Sequence, residues 1–307
     1  MSIYTYQGTN LLNFTNVLDF GAKGNGVADD SYSIQNALYS CSQTGGIIYF
    51  PKGTYKHNDG LLFYSNQTLL FENGAILVGN TSGASVRTIL DSSWTEYNGV
   101  HDCRIIGAVF DSNVAMPDTG VVLAHCKNII FEKCVFKNSE GKYHNIEVNS
   151  AYNVKFLNCE FEGDGKTAGT GEIMQIDGAV NSTAAPWDGM NIDGTISKYI
   201  DIDGCLFHGN NTSPAIGNHT DMAHKYIKIH NCIFDSFTGS RGAIDFVDSM
   251  RDVDIYNNYF VDCTKGIGGD GHSSFYIHDN RFVNCTTPIS SSASIKHNNM
   301  INGVYTA

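Results

Sequence analysis

The sequence has few prolines, few charged residues and no long apolar run. Of its 307 residues, 5 are proline and 16% are charged. No run approaches about 18 apolar residues, so no transmembrane helix or membrane insertion is expected. The first ten residues, MSIYTYQGTN, lack both a basic segment and an apolar core, so they predict no signal peptide. The net charge of −12 argues against nucleic acid or an anionic membrane as the partner.

Cysteine is present, but not in the spacing of a metal cluster. The count of 9 is odd and no CxxC pair occurs, which argues against a zinc site or a full disulfide framework. Glycine, with 32 residues, and asparagine are abundant. This composition favours many short strands joined by turns, and the length allows one large all-β domain or two smaller ones.

A six-residue pattern, apolar-x-x-(Cys/Asn/Gly)-x-apolar, repeats along the chain. It begins at Phe71, Ile105, Phe131, Phe156, Ile202, Ile229, Ile255, Ile277 and Ile295. Most of the intervals lie in the twenties, as expected for one coil of a parallel β-helix whose strands stack roughly 4.8 Å apart. Inward residues of such a solenoid form ladders.

One ladder is predicted to be buried and without a redox role. It contains Cys134, Cys159, Cys205 and Cys232, followed by Asn258, Asn280 and Asn299 or its neighbour Asn298. Cysteine packs as a small hydrophobic residue, and buried asparagine can satisfy the backbone of turns.

A second repeat aligns Ile146, Met174, Ile216 and Ile244. Strand alternation then points four pairs of residues outward. These pairs are Glu147/Asn149, Gln175/Asp177, Gly217/His219 and Asp245/Val247. One interval is longer than a coil, which predicts a loop excursion at about 178–197, directly after Asp177. Long loops on a rigid scaffold often carry function.

The N-terminal part has its own pattern. Asp29 or Asp30 is a predicted N-cap for a helix over roughly residues 31–42, with Ile34, Ala37 and Leu38 on one face. The segment GGIIYFPKGTY then predicts a buried strand that ends in a Pro-Lys-Gly turn. A helix at this end of a solenoid would cover its open core.

Residues 16–38 and 45–55 resemble the N-terminal motif of the pectate-lyase superfamily, DFGAxGDGxxDDxxAIQxA…GGxxxxPxGxY. Asn25 stands where the family often has Asp. The resemblance implies an all-β fold, a single-stranded right-handed parallel β-helix with an N-terminal capping helix. We therefore predict one domain over 1–307, with the cap at about 14–55 and coils at about 56–303. The motif does not specify a reaction, because it occurs in phage tailspike depolymerases, pectin hydrolases and lyases, and alginate epimerases.

Later motifs narrow the reaction only in part. Asp177, the GNHT segment at His219 and Arg241 are laid out like polygalacturonase motifs, but none matches verbatim, and the Asp-Pro-His-Glu run of alginate epimerases is absent. The set EIMQID…PWDG…IGNHTD resembles a group in Gram-positive bacteria and their phages. The resemblance implies a polysaccharide as partner, an extracellular or virion-associated location and, as in many phage β-helices, a homotrimer.

The candidate site follows one outward stripe. The predicted catalytic residues are Asp177, His219, Glu172, Asp188 and Asp245, and the predicted substrate-binding residues are Glu147, Asn149, Gln175, Trp187, Asn218 and Arg241. Each also has a simpler interpretation, such as a turn residue for Asp177 and Asp188, packing for Trp187 or solvated surface for Glu147. No cofactor is predicted, since the carboxylates lack a metal-ligand spacing, although Ca²⁺ accepts such oxygens.

Two chemistries fit this stripe. Glycoside hydrolysis needs two carboxyl groups about 5 to 10 Å apart. β-Elimination needs a base, such as His219, and a cation, such as Arg241. We predict a polysaccharide depolymerase acting by carboxylate-assisted hydrolysis, because carboxylates outnumber basic residues in the stripe. A lyase, an epimerase and a non-catalytic glycan-binding β-helix of a phage tail are the alternatives.

Overall fold

The computed structural model describes residues 14–81, 83, 85–88, 91–113, 119–139, 143–163, 171–180, 189–209, 213–246, 250–269, 274–290 and 295–306. Trp187, Asp188 and Val247 lie outside the described residues. No helix in these ranges is long and apolar enough to cross a membrane.

The described residues form short strands, one α-helix, α1 (Ser31–Ser40), and one 3-10 helix (Val17–Phe20). The first ten strands are β1 (Phe14–Asn16), β2 (Asn25–Asp29), β3 (Gly46–Phe50), β4 (Gly53–His57), β5 (Leu61–Phe63), β6 (Gln67–Phe71), β7 (Ala75–Gly79), β8 (Val86–Thr88), β9 (His101–Ile106) and β10 (Val109–Asp111). The next ten are β11 (Val121–Glu132), β12 (Val135–Lys137), β13 (Ile146–Leu157), β14 (Glu160–Glu162), β15 (Met174–Asp177), β16 (Lys198–Asp203), β17 (Leu206–His208), β18 (Ile216–Gly217), β19 (Lys225–His230) and β20 (Ile233–Asp235). The last ten are β21 (Ile244–Phe246), β22 (Arg251–Tyr256), β23 (Tyr259–Val261), β24 (Lys265–Gly269), β25 (Phe275–His278), β26 (Arg281–Val283), β27 (Thr287–Ile289), β28 (Ile295–His297), β29 (Asn299–Ile301) and β30 (Val304–Thr306).

The strands stack into three faces, which we call A, B and C. Face A contains β5, β8, the first half of β11 and of β13, then β15, β18, β21, β24 and β27. Face B contains β1, β3, β6, β9, the second halves of β11 and β13, then β16, β19, β22, β25 and β28. Face C contains β2, β4, β7, β10, β12, β14, β17, β20, β23, β26 and β29. Among the described strands every pairing between coils is parallel, and only β30 runs antiparallel, to β29. The architecture is a parallel β-helix.

The register predicted for face A is confirmed. Ile146 pairs with Met174, Met174 with Ile216, and Ile216 with Ile244. The six-residue repeat is confirmed over the middle coils, where Phe131, Phe156, Ile202, Ile229, Ile255 and Ile277 pair in succession.

Both ends of the six-residue alignment were wrong. Ile105 pairs with Leu69 rather than Phe71, because the corner after β6 is longer than the corresponding corner after β9. Ile277 pairs with Lys296 rather than Ile295, which is 53% exposed. The last coil is therefore one residue longer than the alignment assumed.

The small-residue ladder lies inside the solenoid. Asn258, Asn280 and Asn299 are buried, and each side-chain amide donates to a backbone carbonyl of the coil before it. Asn280 Oδ1 also accepts from the backbone nitrogen of Asn258 at 3.0 Å. In the preceding coils a cysteine thiol takes the place of the amide as donor, and Cys232 Sγ donates to the backbone carbonyl of Ile202. All 9 cysteines are buried and unpaired, and burial raises the pKa of Cys103 to about 12.

A phenylalanine column fills the core behind face C. Phe136, Phe161, Phe207, Phe234, Phe260 and Phe282 stack with ring centroids 4.7–4.9 Å apart. This spacing is the distance between paired strands, so in-register coils bring equivalent rings into contact.

Helix α1 takes the place of a face A strand in the first described coil, between β2 on face C and β3 on face B. Ile34, Ala37 and Leu38 are buried, and the Gln35 amide makes both backbone hydrogen bonds of Leu62 in β5. The two residues of the predicted capping pair, Asp29 and Asp30, bind different backbone groups. Asp29 Oδ1 accepts from the Ser31 nitrogen, whereas the Asp30 carboxylate binds the amides of Lys23 and Gly24. That the helix acts as a cap, and that the chain is one domain with the predicted limits, stay predictions.

Replacement of Asn280 by Ala should lower the free energy of unfolding by about 2–4 kcal/mol, because several buried groups lose their partners. Asn280→Cys should cost less, since a thiol can donate to the same carbonyl as in earlier coils. Asn73→Ala, at an exposed position, is the control. Urea unfolding followed by circular dichroism measures all three, and equal stability of the Asn280 variants and wild type would contradict this role.

Candidate functional site

A band of polar side chains crosses face A from β13 to β21. The strand register stacks Glu147, Gln175, Gly217 and Asp245 in one column. Neighbours in such a column lie about 4.8 Å apart along the solenoid. Glycine within this column leaves a gap on the surface of β18, between side chains on either side.

Glu172 fills that gap and is the centre of the site. A Cβ on Gly217 would lie 2.7 Å from Glu172 Cγ, so only glycine leaves room for this side chain. Glu172 is 0% exposed. Its Oε2 lies 2.6 Å from His219 Nε2, and its Oε1 lies 2.5 Å from Arg241 Nη2. A fully buried carboxylate thus bridges two cationic side chains that are each 30% exposed.

Charge pairing sets the protonation of this network. Burial alone would raise the pKa of Glu172, but the hydrogen bond from His219 and the charges of His219, His144 and Arg241 lower it below 4.5. The hydrogen bond to Glu172 raises the pKa of His219 above 6.5, although burial opposes it. The Glu172 contribution to stability is therefore present above pH 4.5 and is lost as pH falls through its lowered pKa. The His219 contribution is present below pH 6.5 and is lost as pH rises through its raised pKa.

Arg241 joins a second carboxylate to the site. Its Nε lies 2.7 Å from Asp245 Oδ2, while its Nη2 binds Glu172. Burial opposes the charge on Arg241, but the two carboxylates together raise its pKa. Because Glu172 and Asp245 bind one guanidinium group, their carboxyl groups lie less than about 10 Å apart, below the upper limit of the separation used by glycosidases. Asp245 is the more accessible of the two, with a side chain 17% exposed.

His144 belongs to the site but was not predicted. Its Nδ1 donates to the Glu172 backbone oxygen at 2.7 Å, and its ring centroid lies 5.4 Å from that of His219. Its Nε2 lies 4.0 Å from Glu147 Oε1. The signal was available, because His144 and Glu172 each stand two residues before the aligned Ile146 and Met174. The alignment stopped short of that position.

Glu147 and Asn149 lie on the coil before Glu172, but they are enclosed. Glu147 is 5% exposed and Asn149 is 0% exposed. Thr119 Oγ1 donates to Glu147 Oε1 at 2.7 Å, and Asn149 Nδ2 donates to Glu147 Oε2 at 3.1 Å. These bonds support the wall of the site behind His144.

The side chain of Asp177 points out of the solenoid core, yet it is 0% exposed. Its Oδ2 accepts from Gln175 Nε2 at 2.6 Å and from the His219 nitrogen at 2.9 Å. Its Oδ1 accepts from Thr220 Oγ1 and lies 3.5 Å from His224 Nε2. Burial would raise the pKa of Asp177, but these donors lower it. The carboxylate therefore fixes the backbone of His219.

The end of the excursion closes over Asp177. Ser197 Oγ donates to the Asp177 backbone oxygen at 2.6 Å, and the Ser197 nitrogen donates to His224 Nδ1 at 3.0 Å. Because Nδ1 accepts this bond, the His224 proton lies on Nε2 and faces Asp177. Asn218, predicted to bind substrate, is 0% exposed, and its Nδ2 donates to the Thr220 backbone oxygen.

The structure thus divides the predicted residues into groups. It brings Glu172, His219, Arg241 and Asp245 together at an accessible surface. It encloses Glu147, Asn149, Gln175, Asp177 and Asn218 within hydrogen-bond networks. Trp187 and Asp188 lie outside the described residues.

His144, Glu172 and His219 offer ligand atoms within 4.8 Å of one another. Two imidazoles and one carboxylate suit zinc or another first-row transition metal rather than Ca²⁺, which prefers oxygen ligands. A metal would have to compete with Arg241 and with the His219–Glu172 bond, because these already occupy the Glu172 oxygens.

Comparison with known proteins identifies the family. The family model described as "Rhamnogalacturonase A/epimerase, pectate lyase-like" matches residues 14–300. The chain belongs to this family. The predicted resemblance to the pectate-lyase superfamily and its right-handed β-helix is confirmed. The parallel stacking of the three faces shows independently that the chain forms a parallel β-helix.

Several curated relatives match in sequence. Plasmin and fibronectin-binding protein A of Streptococcus pneumoniae (strain ATCC BAA-255 / R6) is 28% identical over 291 residues, which cover 81% of this chain and 39% of the relative. Alginate lyase 7 of Azotobacter vinelandii is 37% identical over 108 residues, which cover 32% of this chain and 12% of the relative. The chain thus spans two fifths or less of the length of these relatives.

Several solved structures share the fold. PfbA, a surface adhesin of Streptococcus pneumoniae, has a TM-score of 0.77 at 21% identity, and the match covers 94% of this chain and 78% of PfbA. ORF18 of Geobacillus virus E2 has a TM-score of 0.61 at 16% identity, covering 94% of this chain and 60% of ORF18. At these identities the likeness establishes the fold alone.

Asp177→Asn should destabilise the protein by about 2–4 kcal/mol, because the new amide NH₂ would face donors that now bind a carboxylate. Asp221→Asn, at an exposed position in the loop between β18 and β19 that also holds His219, is the control and should leave stability unchanged. Thermal and urea unfolding measure both. An Asp177→Asn variant as stable as wild type would contradict the structural role assigned to this carboxylate.

Proposed function

We propose that this chain cleaves glycosidic bonds of an extracellular or cell-surface polysaccharide by carboxylate-assisted hydrolysis, with His219 as the proton donor. The observation that carries the proposal is the 2.6 Å contact between His219 and the fully buried Glu172. A buried carboxylate that holds an accessible imidazole in its protonated form creates an acid at the surface of face A.

His219 has the properties of a general acid near neutral pH. Glu172 binds its Nε2, so the other ring nitrogen, Nδ1, would deliver the proton to the leaving glycosidic oxygen. The raised pKa keeps the ring protonated over a wider pH range than a free histidine. Asp177 contributes indirectly, because its Oδ2 fixes the His219 backbone nitrogen.

Asp245 is the carboxylate that would assist hydrolysis. Among the predicted acids that the structure describes, Glu147, Glu172 and Asp177 are at most 5% exposed, whereas the Asp245 side chain is 17% exposed. Asp245 would activate water or stabilise positive charge on the sugar ring. Arg241 lies between Asp245 and Glu172 and would hold both carboxylates in place.

The similar proteins support a glycan as the target. The family description names a rhamnogalacturonase and an epimerase, and the curated relatives include an alginate lyase. The likeness to a surface adhesin and to a phage protein supports an extracellular or virion-associated location, with a homotrimer as the proposed assembly of a phage-borne form.

Two alternatives have specific support. β-Elimination would use neutral His219 as the base and Arg241 to neutralise a uronate carboxylate, and both side chains are accessible. Non-catalytic binding is supported by the match to plasmin and fibronectin-binding protein A over 81% of this chain.

A substrate panel tests the proposal and separates these alternatives. The chain is incubated with alginate, iota-carrageenan, polygalacturonate, β-1,3-glucan, capsular polysaccharides and wall teichoic acids. New reducing ends without ultraviolet-absorbing products support hydrolysis, and unsaturated products establish elimination. Retention on a polymer without either product contradicts the proposal and leaves binding alone or epimerisation.

His219→Gln should lower kcat/KM on the polymer that is cut by about 10²- to 10⁴-fold, because the proton donor is lost. Glu172→Gln should move the basic limb of the pH–rate profile to lower pH, since Glu172 raises the pKa of His219. His208→Gln, an accessible histidine on face C, is the control. An unchanged basic limb in Glu172→Gln would show that another group is the acid.

We further propose that the reaction needs no metal, because Arg241 and His219 already neutralise Glu172. Dialysis against EDTA and then against 1,10-phenanthroline should leave kcat/KM within about twofold. Loss of activity that Zn²⁺ restores would instead assign a metal to His144, Glu172 and His219.

A further inference from the structure

A corner between faces A and B repeats a left-handed backbone conformation on six successive coils. The register aligns Asp102, Asn128, Asn153, Tyr199, Tyr226 and Asp252, all with φ between 51° and 61°. Asparagine and aspartate tolerate this conformation, whereas bulky residues adopt it at a cost of order 1 kcal/mol or more. Two adjacent coils therefore carry tyrosine where the backbone favours asparagine.

Burial of these two tyrosines does not offset the free-energy cost of the left-handed backbone conformation. Tyr199 is 44% exposed and Tyr226 is 40% exposed, and their rings stack 4.7 Å apart at 22°. In the earlier coils the same slot forms an amide ladder, in which Asn153 donates to Asn128. A residue kept in an unfavourable conformation and left exposed points to a role outside folding.

The aromatic surface extends beyond this pair. Tyr152 lies 5.0 Å from Tyr199, and Tyr97 lies 5.2 Å from Tyr152, between ring centroids. Tyr97 is held in place by its hydroxyl group, which donates to the Ile196 backbone oxygen. Four rings thus form a track that crosses successive coils of face B.

A groove of about 440 Å³ adjoins this track. Its lining includes Tyr199, Tyr226, Tyr276, Lys155, Lys228 and Asp201. Lys155 Nζ lies 3.9 Å from Asp201 Oδ2, so ammonium and carboxylate groups alternate beside the rings. Its volume falls in the range of about 300–1,000 Å³ found for small-molecule sites.

We propose that the tyrosine track and this groove are a second polysaccharide-binding surface, separate from the site on face A. Apolar faces of pyranose rings would stack on the tyrosines, and hydroxyl groups would bond to the lysines and aspartates. A sugar chain fits this surface better than a protein partner does, because charged side chains of both signs line the groove, whereas the centres of protein interfaces are depleted of charge.

The position of the surface relates it to the proposed catalytic site. Tyr226 follows two residues after His224, which contacts Asp177, and Tyr199 follows two residues after Ser197, which bonds to Asp177. A polymer held on face B would therefore lie on the same coils as His219. The inference rests on the proposed function only in the choice of ligand.

The test is affinity electrophoresis in gels that contain each polymer of the panel named above. The Tyr199→Asn/Tyr226→Asn double variant should bind the retained polymer roughly 5- to 150-fold more weakly, as expected for the loss of two stacking contacts. Its melting temperature should equal or exceed that of wild type, because asparagine suits the backbone there. Tyr32→Asn, at an exposed helix position, is the control and should bind as wild type does.

The outcomes separate this inference from the proposed function. His219→Gln should still be retained by the polymer, since the surface is distinct from the reacting site. Wild-type affinity in the double variant, or no retention of wild type by any polymer of the panel, would overturn the inference while leaving the cleavage assays to decide the function. A dimer in sedimentation velocity that the double variant dissociates would assign the surface to a second copy instead.

Discussion

The in-register parallel stacking of coils is the constraint on which the rest of the structure depends. Each residue position recurs one strand spacing away on the next coil, so a position that suits one residue type imposes the same chemistry on its neighbours. The phenylalanine column and the asparagine ladder are direct consequences. The same stacking places His144 beside Glu172, and Gly217 beneath it, although these residues lie far apart in sequence.

Burial of Glu172 links the fold to the chemistry. An isolated carboxylate inside a protein is strongly unfavourable, so its ionised form depends on His219 and Arg241. This dependence works in both directions, because the carboxylate also holds the two cations at the surface and raises their pKa values. Asp177 serves the same network through the backbone of His219 rather than through its own reactivity.

Much of the fold could be predicted from the sequence, but less of the site. The pattern on face A depends only on side-chain alternation and coil length, so it can be seen in the sequence itself. Its members are Ile146, Met174, Ile216 and Ile244. Side-chain alternation along the strand also indicated correctly that the side chain of Asp177 points out of the solenoid core. It could not indicate that Ser197 and His224 cover it, because the path of a long excursion is set by tertiary contacts. The side chain of Glu172 enters the site because Gly217 has no side chain. This steric requirement is not visible in the periodicity of the sequence.

Gly217 has a consequence for how such chains diverge. The hydrogen in place of its side chain leaves room for Glu172 at the surface of the sheet, and an added Cβ would also lie 2.7 Å from the backbone oxygen of Asp245 in the next strand. One added methyl group would therefore displace the Glu172 side chain and disturb the pairing of β18 with β21 together. Chains of this fold that lack glycine at this position would therefore have to rearrange both the polar cluster around Glu172 and the contact between two coils.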